Sequence, residues 1–260
     1  MEQQPLILIS NDDGVTWNGL HALVEVARTM GEVFVAAPLE HQSGMSSAIS
    51  LWPPLRTRVI EQSPGLTIVG VSGTPADCVK LAVSTLLKGR QPQLVLSGIN
   101  HGYNVGISTM YSGTLACGFE GLVHGIPAIA FSCGDFSSNA PMECYKHWVR
   151  EITTRVLQQG LPKGVLLNVN MPNGQETTIK GLKVTRPDSG RWNNEFTEAT
   201  DPMGEKFYMV GGEFEMADPN DDTTDLYWLN RGYISVTPCH TDQTAYDAVD
   251  TVKKLLDCEG

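Results

Sequence analysis

Residues 6–20 read LILISNDDGVTWNGL, an apolar run that stops abruptly at Asn11, Asp12, Asp13 and Gly14. The run Leu6 to Ser10, apolar through Ile9, fits a strand buried on both faces. After the break, Trp17 to Met30 carries a helical period, with Leu20, Leu23, Val24, Ala27 and Met30 on one face and Gly31 as its stop. A buried strand, a short polar loop and an amphipathic helix form the opening unit of an α/β fold. The loop also poses a chemical problem, because two adjacent carboxylates repel each other unless a cation or strong donors lie between them.

The alternation continues along the chain. Val33 to Ala37 reads as a strand ending at Pro38, and HQSGMSSAIS (41–50) as a loop. Thr74-Pro75-Ala76-Asp77 is a helix start with Thr as N-cap, Pro at the first helical position and Asp three residues after the cap. That helix is expected to reach Lys88, closed by Gly89. Leu94 to Ser97 is a strand running into the loop GINHGYNVG (98–106), Tyr111 to Thr114 opens a helix, and Ile126 to Ser132 is a strand. Asn139 to Gln159 is a helix with Trp148, Val149, Ile152 and Val156 inward, followed by strands at Val165 to Asn170 and Leu182 to Arg186. Gly232 to Thr237 gives a last strand, and Asp242 to Asp257 a closing helix with Tyr246, Val249, Val252 and Leu256 as its apolar stripe.

This pattern predicts a single α/β domain over 1–260, with a largely parallel sheet covered on both faces. Its core is expected over 1–186 and 223–238. Residues 187–222 are polar, contain one strand-like island at Lys206 to Val210, and are too long for a simple connection. They predict a hairpin or arm that touches another subunit.

With 260 residues, 41% hydrophobic and 18% charged, the chain can bury a full core. Its 18 Lys plus Arg against 29 Asp plus Glu give a formal charge of −11, which argues against a nucleic acid polymer as partner. Cys78, Cys117, Cys133, Cys144, Cys239 and Cys258 form no C-x-x-C pair and no zinc spacing, so buried thiols are expected. MEQQPLILIS lacks a basic n-region and no later run reaches membrane-spanning length, so a cytoplasmic address and no membrane partner are expected.

Three loops share one address, since 11–14, 38–47 and 98–106 each follow a parallel strand at its carboxyl end, where open α/β sheets bind ligands. Their inventory is Asp12, Asp13, Ser43, Asn100 and Asn104, all hard oxygen donors suited to Mg²⁺ or Mn²⁺ and not to a structural zinc. Such a cation would offset the carboxylate repulsion, polarise a phosphoryl oxygen, activate a water and shield an incoming dianion. The glycines of 98–106 and the Ser112-Gly113-Thr114 helix start would add backbone N–H and hydroxyl donors for a phosphate.

Taken singly, each feature has a structural explanation. Asp12-Asp13-Gly14 could be a capped turn, Ser43 a loop hydroxyl, Asn100 and Asn104 turn residues beside Gly, and Ser112 a plain N-cap. The coincidence of the three loops is what points to a site. His101 is a weak candidate for protonating a leaving alkoxide, and His124, near a helix end, reads as structural.

Several phosphate chemistries are disfavoured. A haloacid-dehalogenase-type phosphatase needs a nucleophilic Asp two residues before the second acid of its motif, where this chain has Asn11. A receiver domain needs a phospho-accepting Asp after a central strand, where Leu94 to Ser97 is followed by Gly98-Ile99-Asn100. There is no G-x-x-x-x-G-K-[ST] loop and no G-x-G-x-x-G fingerprint. Gly44-Met45-Ser46-Ser47-Ala48 lacks the second Gly of a nucleophile elbow.

The ordered series SNDDG (10–14), APLEHQSG (37–44), GTPADCV (73–79), LVLSGINHGYNVG (94–106), YSGT (111–114), GIPAIAFS (125–132), LNVNMP (167–172) and GYISVTP (232–238) strongly resembles the stationary-phase survival protein SurE family. The likeness covers nearly the whole chain and is weakest over about 188–222. It implies a Rossmann-like three-layer α/β fold whose hairpin and C-terminal segment (the helix at 242–257) exchange between subunits of a homodimer or homotetramer. It also implies a phosphomonoesterase dependent on one divalent cation and acting on nucleoside 5′- and 3′-monophosphates, with short polyphosphate as a side activity. By the family pattern the metal ligands are Asp12, Asp13, Ser43 and Asn100, and Asn104, Ser112, Gly113 and Thr114 face the phosphate. Asp12 is the candidate to orient or deprotonate the attacking water. A nonenzymatic, metal-dependent nucleotide- or phosphate-binding module is the alternative that the same residues allow.

Overall fold

The computed structural model describes residues 4–174 and 178–257. Strand β1 (Leu6–Ser10) is buried along its whole length, with Ile7 and Ile9 packed into one core layer and Leu8 into the other. That alternation explains the unbroken apolar run, since both faces of the strand are covered. Helix α1 (Asn18–Ala27) follows, starting and ending inside the span that its period predicts.

Strands β2 (Glu32–Pro38), β3 (Thr57–Ser63) and β4 (Leu66–Val71) come next. Then come helix α2 (Pro75–Leu81), strand β5 (Leu94–His101), helix α3 (Gly113–Val123), strand β6 (Ala128–Cys133), helix α4 (Glu143–Gln159) and strand β7 (Leu166–Met171). Strand β8 (Leu182–Val184) leads into four short strands, β9 (Arg191–Asn193), β10 (Phe196–Thr200), β11 (Lys206–Val210) and β12 (Glu213–Glu215). Helix α5 (Asp225–Leu229), strand β13 (Ile234–Cys239) and helix α6 (Val249–Leu255) close the described chain.

The nine-stranded sheet runs β3-β4-β2-β1-β5-β6-β7-β13-β8. From β4 through β7 every neighbour is parallel, while β3 and β13 lie antiparallel to β4 and β7. Leu20 and Leu23 of α1 join Tyr145, Val149 and Ile152 of α4 in one layer, and Val79 of α2 joins Leu115 and Cys117 of α3 in the other. The protein is therefore an α/β fold with helices on both faces of a mostly parallel sheet. The chain leaves β1 toward β2 and β4, then returns to the far side of β1 at β5, so the loops after β1 and β5 diverge and open a crevice between them.

Several elements differ from the sequence expectations. The β3–β4 hairpin lies in a stretch to which the periodicity assigns nothing, and β3 is exposed along most of its length as an edge strand. The helix expected to reach Lys88 changes to wide π-type turns at Ala82–Leu86 before Lys88 and Gly89 turn it with positive φ. Strand β5 does not stop at Ser97. It continues, after an irregularity in register, to pair Asn100 with Ser132 and His101 with Cys133. Trp148 only borders the core, and Tyr145 is fully buried in its place. The terminal helix, expected over 242–257, spans Val249–Leu255, and Tyr246, Val252 and Leu255 of this region are exposed. Cys78, Cys117 and Cys133 are buried free thiols, Cys144 and Cys239 are half-buried, and Cys258 lies outside the described residues.

Candidate metal and phosphate site

Asn11 closes the loop after β1. Its side-chain amide donates to the Gly14 carbonyl at 3.0 Å and its Oδ1 accepts from the Gly14 N–H at 3.2 Å, while Gly14 takes φ +112°. The two carboxylates that follow are both buried, at 4% and 3% exposure, and they point to different partners.

Asp12 faces the crevice. Its Oδ1 accepts from the Thr114 hydroxyl at 2.5 Å, and the start of α3 is pressed against it, since a Cβ on Gly113 would lie 2.7 Å from Asp12 Cβ and 3.0 Å from Oδ2. Only glycine allows that approach. The helix N-terminus favours a negative charge there. Burial nevertheless pushes the Asp12 carboxyl up to about 6, with the Thr114 hydroxyl pulling against it and the Asp13 charge adding to it.

Asp13 turns toward β5. Its Oδ2 accepts from the His101 backbone N–H at 3.2 Å and lies 2.8 Å from His101 Nδ1, while His41 Nδ1 stands 3.7 Å from Oδ1. Trp17 stacks on the His41 ring at 5.2 Å and tilts against His101 at 4.9 Å. The His101 side chain is only 1% exposed and does not line the cavity that holds Asp12. It therefore cannot reach a leaving group, which corrects its candidacy as proton donor. What it does is hold the Asp13 carboxylate in place.

A cavity of about 750 Å³ gathers residues from all three loops. Asp12, Ser43, Asn100, Asn104 and Ser112 line it, whereas Asp13 and Thr114 do not. The loop carrying Ser43 is tied to its neighbours on both sides, by Gln42 N–H donating to the Asp12 carbonyl at 2.8 Å and by Ser46 N–H donating to the Tyr111 carbonyl at 3.1 Å. Asn100 donates its amide N–H to the Gly102 carbonyl at 2.8 Å, which leaves its Oδ1 as the acceptor to offer. Ser112 caps α3 by accepting from Leu115 N–H at 3.1 Å, so its own hydroxyl proton remains available. Thr114 is fully buried and its hydroxyl is engaged by Asp12. The expected Thr114 hydroxyl donor is thereby corrected to a residue that orients the carboxylate, with its backbone N–H in the first turn of α3.

Asn104 is held by residues to which sequence reasoning gave no role. Its N–H donates to Asn170 Oδ1 at 2.8 Å, its carbonyl accepts from Asn168 and Asn170, and its side-chain amide donates to Ser132 Oγ at 2.9 Å. Two asparagines at alternate positions of the otherwise oily LNVNM were the available signal, because buried amides require partners. The arm supplies the remaining wall through Gly190, Trp192 and the 210–212 turn. At its root Asp225 accepts from the N–H groups of Gly106, at 2.9 Å, and Asp188, at 3.0 Å, joining the arm to the 98–106 loop.

Among the described residues no cluster of three or more His, Cys, Asp or Glu side chains could hold a metal ion. The donor set here is different: two buried carboxylates with a serine hydroxyl and an asparagine carbonyl, oxygens throughout. It matches a hard divalent cation.

A family model described as Survival protein SurE matches residues 7–194. A protein of Cytophaga hutchinsonii named 5′-nucleotidase SurE is 43% identical over 96% of this chain and 96% of its own length. One of the same name from Christiangramia forsetii is 44% identical over 94% of each chain. Among solved structures, the SurE protein of Aquifex aeolicus superposes with a TM-score of 0.83 at 38% identity, over 97% of this chain and all of that one. By the family match and by these full-length likenesses, the chain belongs to the SurE family.

Proposed function

We propose that the protein is a 5′-nucleotidase, a phosphomonoesterase that converts nucleoside 5′-monophosphates to nucleoside and phosphate with one divalent cation, Mg²⁺ or Mn²⁺. The observation that carries the reading is the single cavity in which Asp12, Ser43 and Asn100 stand beside the N-terminus of α3. The names of the relatives support the substrate class. Asp12, Ser43 and Asn100 would hold the cation, with Asp13 joining through the oxygen that His101 leaves free. When bound, the cation supplies Lewis-acid polarisation of the phosphoryl group and shields its charge from a strongly acidic protein.

The chain's own groups do the rest. Ser112, the Asn104 amide and the first N–H groups of α3 orient the phosphoryl oxygens and meet the charge that develops on them. Asp12 Oδ2 orients the attacking water and takes its proton as the water oxygen bonds to phosphorus and the phosphorus–ester oxygen bond breaks, the leaving nucleoside oxygen gaining its proton from solvent water. Asn11, bonded to Gly14 on both sides of its amide, offers no carboxylate for a phospho-enzyme, so attack by water is direct. The direct test measures phosphate release from AMP, GMP, their 3′ isomers and a short polyphosphate with Mg²⁺, with Mn²⁺ and with EDTA. Metal-dependent release that EDTA abolishes is expected. Nucleotide that is bound but survives prolonged incubation would establish the binding-module alternative.

The protons on Asp12 give an independent check on the cation. Its folded carboxyl sits near 6 against an ordinary 3.8, so the neutral form is favoured in the fold. As pH rises through about 6 the metal-free protein loses stability, by on the order of 3 kcal/mol once Asp12 is fully charged. A cation bound there offsets that loss and competes with the proton. The rise in Tm on adding Mn²⁺ should therefore be larger at about pH 8 than at about pH 5. An equal shift at both would place the cation elsewhere.

The protein works as a homodimer or homotetramer in this reading. Phe196, Tyr208 and Val210 on the β10–β11 hairpin and Leu255 on α6 are exposed apolar groups, the kind of surface a second subunit would cover. No helix among the described residues is long and apolar enough to cross a membrane, and a cytoplasmic site of action is proposed with the rest.

A further inference from the structure

The cavity wall opposite in character to the carboxylates is built by the arm. Strands β9 and β12 pair antiparallel with Trp192 directly across from Phe214. Their rings meet edge to face at 5.7 Å and 82°. Phe214 is itself wedged between the arm root and the 98–106 loop, since a Cβ on Gly106 would come within 2.9 Å of its ring and one on Gly190 within 2.8 Å. The indole N–H of Trp192 donates to Ser108 Oγ at 3.2 Å, on the turn that follows the loop carrying Asn100 and Asn104. The indole is thus held by a hydrogen bond from its N–H and by the Phe214 ring packed edge to face with it, while Trp192 keeps 36% of its surface exposed.

That surface borders the same cavity as Asp12, Asn100 and Ser112. Gly211 lines the same cavity and leaves open space, since beyond its chain neighbours no atom lies within 4 Å of where its Cβ would stand. A rigid aromatic ring beside an unfilled gap, continuous with a phosphate-binding end, fits a flat heteroaromatic group joined to a phosphate. We propose that Trp192 is the stacking platform for the nucleobase, and that it gives the enzyme a preference for purine over pyrimidine nucleotides because the larger ring system covers more of the indole. This specificity role rests on the nucleotidase reading, and it assigns to the arm the selection that the metal end cannot make, since the phosphate is common to all substrates.

The test compares AMP with ribose 5-phosphate, which has the same ester and no base, for wild type, W192L and W192F. The ratio of their kcat/KM values should fall about tenfold in W192L, chiefly through KM for AMP, and W192F should restore most of it, as expected for base–aromatic stacking. A residue that merely supported the fold would lower both substrates together and leave the ratio where it was. An unchanged ratio in W192L, or a wild-type enzyme that does not distinguish the two esters, overturns the proposal. If neither ester is hydrolysed by wild type, the nucleotidase reading fails by itself. Calorimetric binding of AMP to the same three proteins then decides the stacking question, with Trp192-dependent affinity supporting it and equal affinities overturning it.

Discussion

Asp12→Asn is expected to lower phosphate release from AMP by at least roughly a thousandfold, about 4 kcal/mol of barrier, while leaving the protein folded. The substitution keeps the shape of the side chain and the acceptor for the Thr114 hydroxyl, so the contact of α3 with the end of β1 survives. What it removes is the charge, and with it both an anchor for the cation and an acceptor for the water's proton. The same change has the opposite effect on stability. The wild-type carboxyl is buried beside Asp13 and is pushed up to about 6, so in metal-free protein at about pH 8 it holds an unfavourable charge that the amide lacks. The variant should then melt no lower than metal-free wild type at that pH, and lower than metal-loaded wild type. Retained activity would remove Asp12 from the chemistry. A fall in Tm together with lost activity would mean the fold, not the site, had been damaged.

Gly19→Ala is expected to be among the most destabilising single methyls that can be added near the site. Helix α1 crosses the end of β5 so closely that the new Cβ would lie 1.9 Å from the Ile99 carbonyl oxygen and 2.9 Å from its carbon. Both obstacles are backbone, so no rotamer change relieves them and the helix must lift away from the sheet. Leu20 and Leu23 on that helix are fully buried and would lose packing as it rises. An overpacking cost of about 3 kcal/mol lowers Tm by roughly 6–12 °C in a chain of this size. Activity should fall as well, because the same Cβ approaches His101 Cε1 at 3.1 Å and His101 holds Asp13. A midpoint unchanged within a degree, or about that, would contradict the packing described here.

The parts of this molecule that could be read from its sequence are those whose cause is local. The buried run before Asn11 shows β1 because both of its faces are covered. Thr74 and Asp77 cap α2 reciprocally, each side chain accepting the other's backbone N–H at 3.1 and 2.9 Å, within a span of four adjacent letters. The three loops could be grouped because strand order in a parallel sheet dictates where their ends meet, and Asp12, Ser43 and Asn100 do line one cavity.

What stayed hidden depends on distant contacts or on solvent. The bond from His101 to Asp13 joins residues 88 apart and leaves no periodic trace. Strand β3 is exposed on both sides, so its side chains have no burial rhythm to reveal it, although Pro64-Gly65 marks its turn. The terminal helix could be read as amphipathic from its period, but a stripe of this kind does not say which chain covers it. Trp192 lies where the family likeness is weakest, and it meets the site through contacts distant in sequence, its register opposite Phe214 and its bond to Ser108.

The cavity has two walls of different origin. One is the rim of the sheet, rigid and fixed by the order of its strands. The other is an appendage fastened at its root by the Asp225 carboxylate and by the wedge of Phe214. For protein engineering this is a natural seam: residues 189–216 could be exchanged as a cassette, leaving the hydrolytic end intact while a new loop is grafted to choose which esters enter it.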